Sequence, residues 1–308
     1  MRATSPAESK ASRWQHGGMD APVERLDELA ALLADGDVVV LTGAGISTDS
    51  GIPDYRGPTG AVRPASPMTY QTFTRDAVAR RRYWARSHMG WRLIARARPN
   101  TGHLAVARLQ QLGSVRGLIT QNVDGLHTAA GATDVVELHG ALDRVVCLGC
   151  GRLSARSELD RRLRAANPDW QAKVTAINPD GDVELPDDQL DDFRTVDCPA
   201  CGGILKPDVV YFGETVPAPR VERCFDLVEE AGALLVLGSS LTVMSGYRFV
   251  LRAAKLGIPV AIVNSGATRG DSRADLRVDA PLGTVLPALA ESVAARLGRG
   301  TERTGVSA

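Results

Sequence analysis

Two Cys-x-x-Cys pairs, Cys147 with Cys150 and Cys198 with Cys201, stand apart from a fifth cysteine, Cys224. This spacing supplies four thiolates for one tetrahedral zinc ion, and in an intracellular chain it argues for metal before disulfides. Four sulfur ligands close the coordination shell and leave no place for water, so the zinc expected here is structural, not catalytic. A redox dithiol is the alternative, but two pairs, each followed by a glycine, fit zinc better than one dithiol. The acidic stretch between the pairs, with Asp187, Asp188, Asp191 and Asp192, reads as a solvated loop.

A second group of residues lies just beyond short apolar runs. Gly43-Ala44-Gly45-Ile46-Ser47 follows Val38 to Thr42 and puts two glycines where a backbone can approach a pyrophosphate, although a tight turn would use the same residues. The next glycine is Gly51, and no strand ending in an acidic residue follows about twenty residues on, which disfavours a hydride-transfer dehydrogenase. Asp54, Tyr55 and Arg56 belong to a loop long enough to fold over a ligand; Arg56 suits phosphate and Asp54 can accept a hydrogen bond, while a surface salt bridge is the plainer use of both. Gln121, Asn122 and Asp124, in the stretch Thr120 to His127, offer amides and a carboxylate for ribose hydroxyls and a carboxamide, or for an ordinary hydrogen-bonded turn. His139, followed by Gly140, can act as a general base near neutral pH, or as a structural hydrogen-bonding histidine. Gly238-Ser239-Ser240 and Asn264-Ser265-Gly266 repeat the small polar turn, and fit phosphate and ribose or helix N-caps.

The elements that must position these residues follow from periodicity. Val38 to Thr42, Leu118 to Thr120, Val135 to Leu138, Leu234 to Leu237 and Val260 to Val263 read as buried parallel strands. Helical patterns occupy Val23 to Asp35, His103 to Leu112, Arg220 to Ala231, Gly246 to Leu256 and Val285 to Leu297. Strands alternating with helices imply an α/β fold, a Rossmann-like doubly wound parallel sheet, in which the carboxyl ends of the strands face the ligand crevice. Two excursions break the alternation, and the expected division is a core of 21–52, 102–140 and 207–297, a helical and cofactor-loop insertion at 53–101, and a zinc module at 141–206. Residues 1–20 are expected to form a disordered extension and 298–308 a flexible tail.

With 308 residues and 44% hydrophobic content the chain can bury one large core and a smaller module. The 36 basic residues balance 36 acidic ones, so charge gives no case for nucleic acid or an anionic membrane as partner. Residues 1–20 lack the apolar core of a secretory signal, and no apolar run is long enough to span a bilayer, which points to a soluble, cytoplasmic protein. Arg2, Arg13 and several serines fit a mitochondrial leader loosely, whereas Glu8 and the missing amphipathic pattern do not.

Taken in order, Gly43 to Arg56, Thr120 to Asp124, His139-Gly140, the four cysteines, Lys206-Pro207-Asp208-Val209-Val210-Tyr211-Phe212-Gly213-Glu214, Gly238-Ser239-Ser240-Leu241 and Asn264 resemble the sirtuin pattern. The resemblance runs from about Val38 to Pro287. Leu126 to Gly131, Tyr83-Trp84-Ala85-Arg86 and Ser245 to Phe249 are most similar to class II sirtuins, the branch with the fourth mitochondrial type. It implies an NAD-dependent protein lysine deacylase that gives nicotinamide, O-acyl-ADP-ribose and free lysine, with one structural zinc. Its partners would be acylated lysines of proteins.

By the same resemblance, Gly43, Ala44, Gly45 and Ile46 approach the cofactor by backbone, and Asp54, Tyr55 and Arg56 form a loop over it. Gln121 holds the nicotinamide ribose; Asn122, Val123 and Asp124 place a water and the carboxamide, Asn122 also being catalytic. His139 is the base for a ribose hydroxyl. Gly238, Ser239, Ser240, Asn264, Ser265 and Gly266 hold phosphate and adenosine ribose, Leu282 contacts adenine, and Val209, Val210, Tyr211, Phe212 and Gly213 pair with the peptide as an added strand. Tyr83 and Arg86 have the spacing of sirtuins that prefer acidic acyl groups, a secondary expectation here. Protein ADP-ribosylation and a non-catalytic NAD sensor are the rival readings.

Overall fold

Runs that are apolar at every position have no polar face to offer water, and they are buried on both sides. Strand β1 (Val38–Thr42) is the clearest case: all five residues are buried, as are those of Ala233–Leu237. The computed structural model describes residues 22–54, 68–174, 176–177, 182–186 and 189–304. Its chain order is α1 (Pro22–Ala34), β1, α2 (Tyr70–Arg75), α3 (Ala77–Ile94), α4 (Thr101–Gln111), β2 (Val115–Thr120), α5 (Leu126–Ala129), β3 (Val135–Glu137) and β4 (Gly140–Cys147). There follow β5 (Leu153–Ala155), α6 (Arg156–Ala166), β6 (Ala176–Ile177), β7 (Val183–Glu184), β8 (Leu205–Val209), α7 (Ala218–Glu229), β9 (Ala233–Leu237), α8 (Met244–Leu256), β10 (Val260–Val263), β11 (Leu276–Val278) and α9 (Leu282–Thr304).

The main sheet has the order β11-β10-β9-β1-β2-β3 with every pairing parallel. The first three of these strands in sequence run outward to one side and the last three to the other, so the strand order reverses between β1 and β9. In a doubly wound sheet that is the switch point where ligands sit, beyond the carboxyl ends. Helices α1, α4 and α9 bury Leu29, Val106 and Leu289 against one face. On the other face α7 and α8 bury Leu227 and Phe249.

A third apolar cluster, separate from both, joins Phe73, Tyr83 and Trp84 of α2 and α3 to Leu159 and Leu163 of α6 and to Leu142, Val145 and Leu205 of a small antiparallel sheet, β5-β4-β8. The helical insertion and the cysteine-bearing segment thus share one core. Arg156 is fully buried there, its guanidinium 5.2 Å from the Trp84 ring and 5.0 Å from that of Trp91, donating to the Ser87 carbonyl at 3.0 Å.

Several boundaries differ from the sequence expectations. β11 was not anticipated, because Leu276–Val278 is only three residues long and interrupted by Arg277. α9 continues to Thr304, past Leu297 where a tail was expected to begin. β3 stops at Glu137, and Leu138 and His139 lie in the turn that carries the chain into β4. The expected extension 1–20 and the last tail residues lie outside the described residues, as do Tyr55 and Arg56.

Gly140 makes that turn. Its φ is +83°, and a Cβ on it would lie 1.9 Å from the Asp208 carbonyl oxygen. Both a left-handed backbone and a close strand crossing therefore require glycine. Gly140→Ala is expected to cost on the order of 3 kcal/mol in stability, measured as the shift of the urea midpoint; a midpoint equal to the parent's would refute it.

Candidate active site and metal centre

The carboxyl ends of β1, β2 and β9 and the β8 side of the small sheet enclose a cavity of about 730 Å³. At the switch point two glycine turns interlock. Gly43 N–H donates to the Leu237 carbonyl at 3.0 Å and Gly45 N–H to the Gly238 carbonyl at 2.9 Å. A Cβ on Gly43 would come within 2.7 Å of the Ser239 Cβ, and one on Gly45 within 2.9 Å of the Gly238 Cα. Only a chain without side chains here lets the two turns interlock, and the bare backbone with Ala44, Ser239 and Ser240 lines the cavity as a floor that a pyrophosphate can approach closely.

Gln121 and Asn122, just past β2, are held by that floor. Gln121 Nε2 donates to Ser239 Oγ at 2.9 Å, and Asn122 Nδ2 donates to the Gly43 carbonyl at 3.0 Å and to Ser47 Oγ at 3.1 Å. With its N–H groups so engaged, Asn122 presents its amide oxygen as the acceptor. Ser47 Oγ in turn donates to Asp124 Oδ2 at 2.7 Å, and Asp124 Oδ1 caps Leu126 N at 2.9 Å. Behind this row His103 and His127 sit buried with ring centroids 4.9 Å apart, and burial pushes the His127 imidazole down to about 3. Thr42 Oγ1 donates to Thr120 Oγ1 at 2.8 Å and so accepts from His127 Nε2 at 3.0 Å. These histidines are neutral packing and hydrogen-bonding groups at pH 7.

His139 occupies the junction of the two cores. Leu138 N–H bonds to the Thr120 carbonyl at 2.8 Å, tying the turn to the main sheet, and the His139 carbonyl accepts from Val210 N–H at 2.8 Å, tying it to the segment after β8. The half-buried imidazole faces the cavity, its Nδ1 2.9 Å from the Gln121 carbonyl and its Nε2 2.7 Å from Ser245 Oγ. A carbonyl only accepts, so Nδ1 carries the proton and Nε2 carries the lone pair. Burial lowers the imidazole below its ordinary value, the Gln121 carbonyl raises it, and Arg220 and Arg248 lower it further. His139 is therefore a neutral ring with its basic nitrogen turned to the cavity, the state a general base needs.

Among the expected cofactor residues, Gly43, Ala44, Gly45, Asp54, Gln121, Asn122, Val123, Asp124, Gly238, Ser239, Ser240, Asn264 and Ser265 line the cavity, together with Val209 to Gly213. Ile46, Gly266 and Leu282 do not. Ile46 is a buried core residue, Leu282 packs its side chain beneath Gly238, and Gly266 is exposed, its N–H on Asp279. Ile52, Met68, Tyr83, Ile94 and Leu142 form an apolar branch of the cavity beside Tyr211; sequence patterns missed Met68, Ile94 and Leu142, while Ile52 was noted only within the loop motif and Tyr83 only for its spacing from Arg86. They come from four separate stretches, so no local spacing joins them. Ser245 was noted only as part of a motif.

The Tyr83 and Arg86 pair separates. Tyr83 lines the cavity and packs against the Phe73, Trp84 and Tyr211 rings at 5.4, 5.6 and 5.5 Å. Arg86 is not part of the cavity wall; its Nε donates to Asp182 at 2.9 Å, and that carboxylate is 5% exposed.

The segment from Val209 to Gly213 is braced from below. Lys206, buried at the edge of β8, pairs with Glu214 at 3.1 Å and donates to the Val209 carbonyl at 2.5 Å, while Tyr211 N–H donates to Glu214 at 2.9 Å. Phe212 forms a parallel bridge with Thr69.

The four thiols gather at the end of the small sheet. Cys147 Sγ is 3.5 Å from Cys201 Sγ, Cys150 Sγ is 3.9 Å from Cys198 Sγ, and all four lie within 4.8 Å of one another. A tetrahedron with Zn–S bonds of about 2.3 Å has edges of about 3.8 Å, so the donor set and its spacing fit zinc. Gly149 and Gly203 keep the knuckles close: a Cβ on Gly203 would meet Cys147 Sγ at 3.0 Å. Among the described residues no other cluster of metal-ligating side chains occurs.

Residues 43–245 match the Sir2 family model. A Streptomyces coelicolor protein named NAD-dependent protein deacetylase 1 is 59% identical over 283 residues, covering 91% of this chain and 95% of the relative. A Bordetella bronchiseptica NAD-dependent protein deacetylase is 48% identical over 269 residues, covering 87% and 98%. A solved Sir2 enzyme structure superposes with a TM-score of 0.71 at 32% identity over 89% of this chain and 99% of its own. Another, a Sir2 variant described with a deacetylated p53 peptide and 3'-O-acetyl-ADP-ribose, gives 0.69 at 29% identity over 88% and 98%.

Proposed function

The chain belongs to the Sir2 family, and from that premise we propose that it is an NAD-dependent protein deacetylase acting on acyl-lysine, with His139 as its base and one structural zinc. The single observation that carries the reading is the neutral His139 imidazole lining the same cavity as the interlocked glycine floor. Bound NAD supplies a ribose carbon from which nicotinamide can leave and to which the acyl group can pass.

The chain's own residues do the rest. The bare backbone at Gly43 to Gly45 and Gly238 lets the pyrophosphate approach closely and Ser239 and Ser240 hold it, while Asn264 and Ser265 hold the adenosine ribose. Gln121, fixed by Ser239, orients the nicotinamide ribose, and Asn122 and Asp124, fixed through Ser47, orient the carboxamide and a water. His139 Nε2 takes the proton of a ribose hydroxyl, and the Gln121 carbonyl on Nδ1–H stabilises the imidazolium that results. Val209 to Gly213 clamp the peptide main chain. The division into a Rossmann-like core and a helical and zinc unit is supported by their separate apolar clusters. No described helix is long and apolar enough to cross a membrane, and the relatives quoted are bacterial, which supports a cytoplasmic enzyme.

The branch lined by Ile52, Met68, Tyr83, Ile94 and Leu142 favours neutral acyl groups, because Arg86 is committed to Asp182. An acetyl-lysine peptide is expected to exceed its succinyl counterpart in kcat/KM by at least about tenfold, the cost of burying an unpaired carboxylate exceeding the ~1.4 kcal/mol that tenfold represents. Mass spectrometry of the peptides, with nicotinamide release measured in parallel, tests both points. Acyl loss matched by nicotinamide supports deacylation. Nicotinamide release with the acyl group intact overturns it in favour of ADP-ribosyl transfer, no release from folded protein leaves an NAD sensor, and a faster succinyl peptide overturns the selectivity.

A further inference from the structure

His139 has a partner that the reaction does not call for. Its Nε2 is the nitrogen that must receive a proton, yet Ser245 Oγ lies 2.7 Å from it. The other ring nitrogen is already committed as a donor to the Gln121 carbonyl at 2.9 Å, so the hydrogen between Ser245 and Nε2 belongs to the serine, whose hydroxyl donates. Both side chains line the cavity.

The placement of Ser245 is built into the packing. It sits in the first turn of α8, whose next residue, Gly246, is pressed against Gln121: a Cβ there would lie 2.3 Å from Gln121 Oε1. Gln121 is itself pinned by Ser239 and by the Thr42 carbonyl. One glutamine thus locates both clamps on the imidazole, through its carbonyl on Nδ1 and through the close seat it gives α8, which brings Ser245 to Nε2.

We propose that Ser245 is a positioning residue for the base: its hydroxyl holds the neutral His139 ring with the proton on Nδ1 and keeps Nε2 directed into the cavity until a substrate hydroxyl replaces it. The proposal rests on His139 being the base, as assigned above. A hydroxyl can donate to the Nε2 lone pair or, by turning, accept from Nε2–H, so the bond orients the ring in either protonation state. The neutral state itself is favoured by burial and by two cations, Arg220 from α7 and Arg248 from α8, against the Gln121 carbonyl. Removing the hydroxyl therefore loosens the ring and leaves its protonation to those groups.

The chain has five histidines, so histidine-labelled full-length protein can be titrated by NMR and His139 assigned by its loss in His139→Ala. In the parent, His139 is expected in the Nδ1–H tautomer. In Ser245→Ala the Nε2 nitrogen shift is expected to move to that of a lone pair without a hydrogen bond, and in Ser245→Thr, which keeps the hydroxyl, to stay at the parent position. In steady-state kinetics Ser245→Ala should lower kcat by about tenfold through a looser ring and leave KM for NAD unchanged, and Ser245→Thr should restore kcat. A parent-like Nε2 shift and kcat in Ser245→Ala, at parent thermal stability, or a kcat loss that Ser245→Thr does not restore, would overturn the proposal. Full turnover in His139→Ala would instead overturn the assignment of the base, and the Nε2 shift would still decide whether Ser245 holds the ring.

Discussion

Replacing His139 with alanine is expected to lower deacylation turnover by about 10²–10⁴-fold, the range a positioned general base contributes, while NAD affinity stays within a few-fold of the parent. The asymmetry follows from where the ring sits. The cofactor floor is made by Gly43 to Gly45, Gly238 and Ser239, bonded to one another and to Gln121 and Asn122 without the imidazole. His139 is anchored through its backbone by the Val210 bond, which alanine retains. Parallel measurement of peptide deacylation and of NAD binding by calorimetry checks this. Parent-like turnover would remove His139 from the mechanism, and an abolished NAD affinity would make it a structural residue. Because the folded-state pKa lies below the ordinary histidine value, the basic form persists through neutral pH and is lost only as acid protonates Nε2.

Cys147→Ser is expected to destabilise the protein by on the order of 4 kcal/mol or more, since a four-thiolate site contributes folding free energy directly and a hydroxyl is a poor zinc ligand. The consequence reaches the active site through one strand. Cys147 is the last residue of β4, whose first residue, Gly140, follows His139, and β4 pairs with β8, which leads into the segment Val209 to Gly213. Loss of zinc is therefore expected to loosen both of these walls of the cavity. The check is zinc content by elemental analysis beside the melting temperature, with a chelator on the parent reproducing the variant. Parent-like melting together with one bound zinc would refute the site, and parent-like melting without zinc would show that the thiols are dispensable.

The two predictions draw on features that were legible to different degrees. The cysteine spacing was readable because a knuckle is local: two residues between ligands suffice to place two sulfurs on one ion. The strands were readable because parallel strands buried on both faces are continuous apolar runs, and the turns after them because close backbone approach demands glycine. β11 was missed since three residues carry no pattern of their own. That Ile52, Met68, Tyr83, Ile94 and Leu142 join in one apolar branch of the cavity was missed since they come from loops, one helix and a strand spread over about ninety positions. Arg86 shows the converse: its spacing from Tyr83 places both on α3, but its partner, Asp182, lies almost a hundred residues away.

By itself the order of residues determined the chemistry on offer in this protein: four thiolates for zinc, glycine turns for a pyrophosphate, amides and a histidine at strand ends, and a parallel sheet to carry them. Those properties rest on short-range spacing and burial periodicity, which a linear chain displays directly. Tertiary structure alone decided that His139 is neutral with Nε2 bonded to Ser245, and that Arg86 pairs with Asp182 outside the cavity wall. Each depends on which groups from distant strands and helices come within hydrogen-bonding reach, and protonation state and orientation are set by those neighbours, through desolvation and directed bonds, not by the residue's own identity.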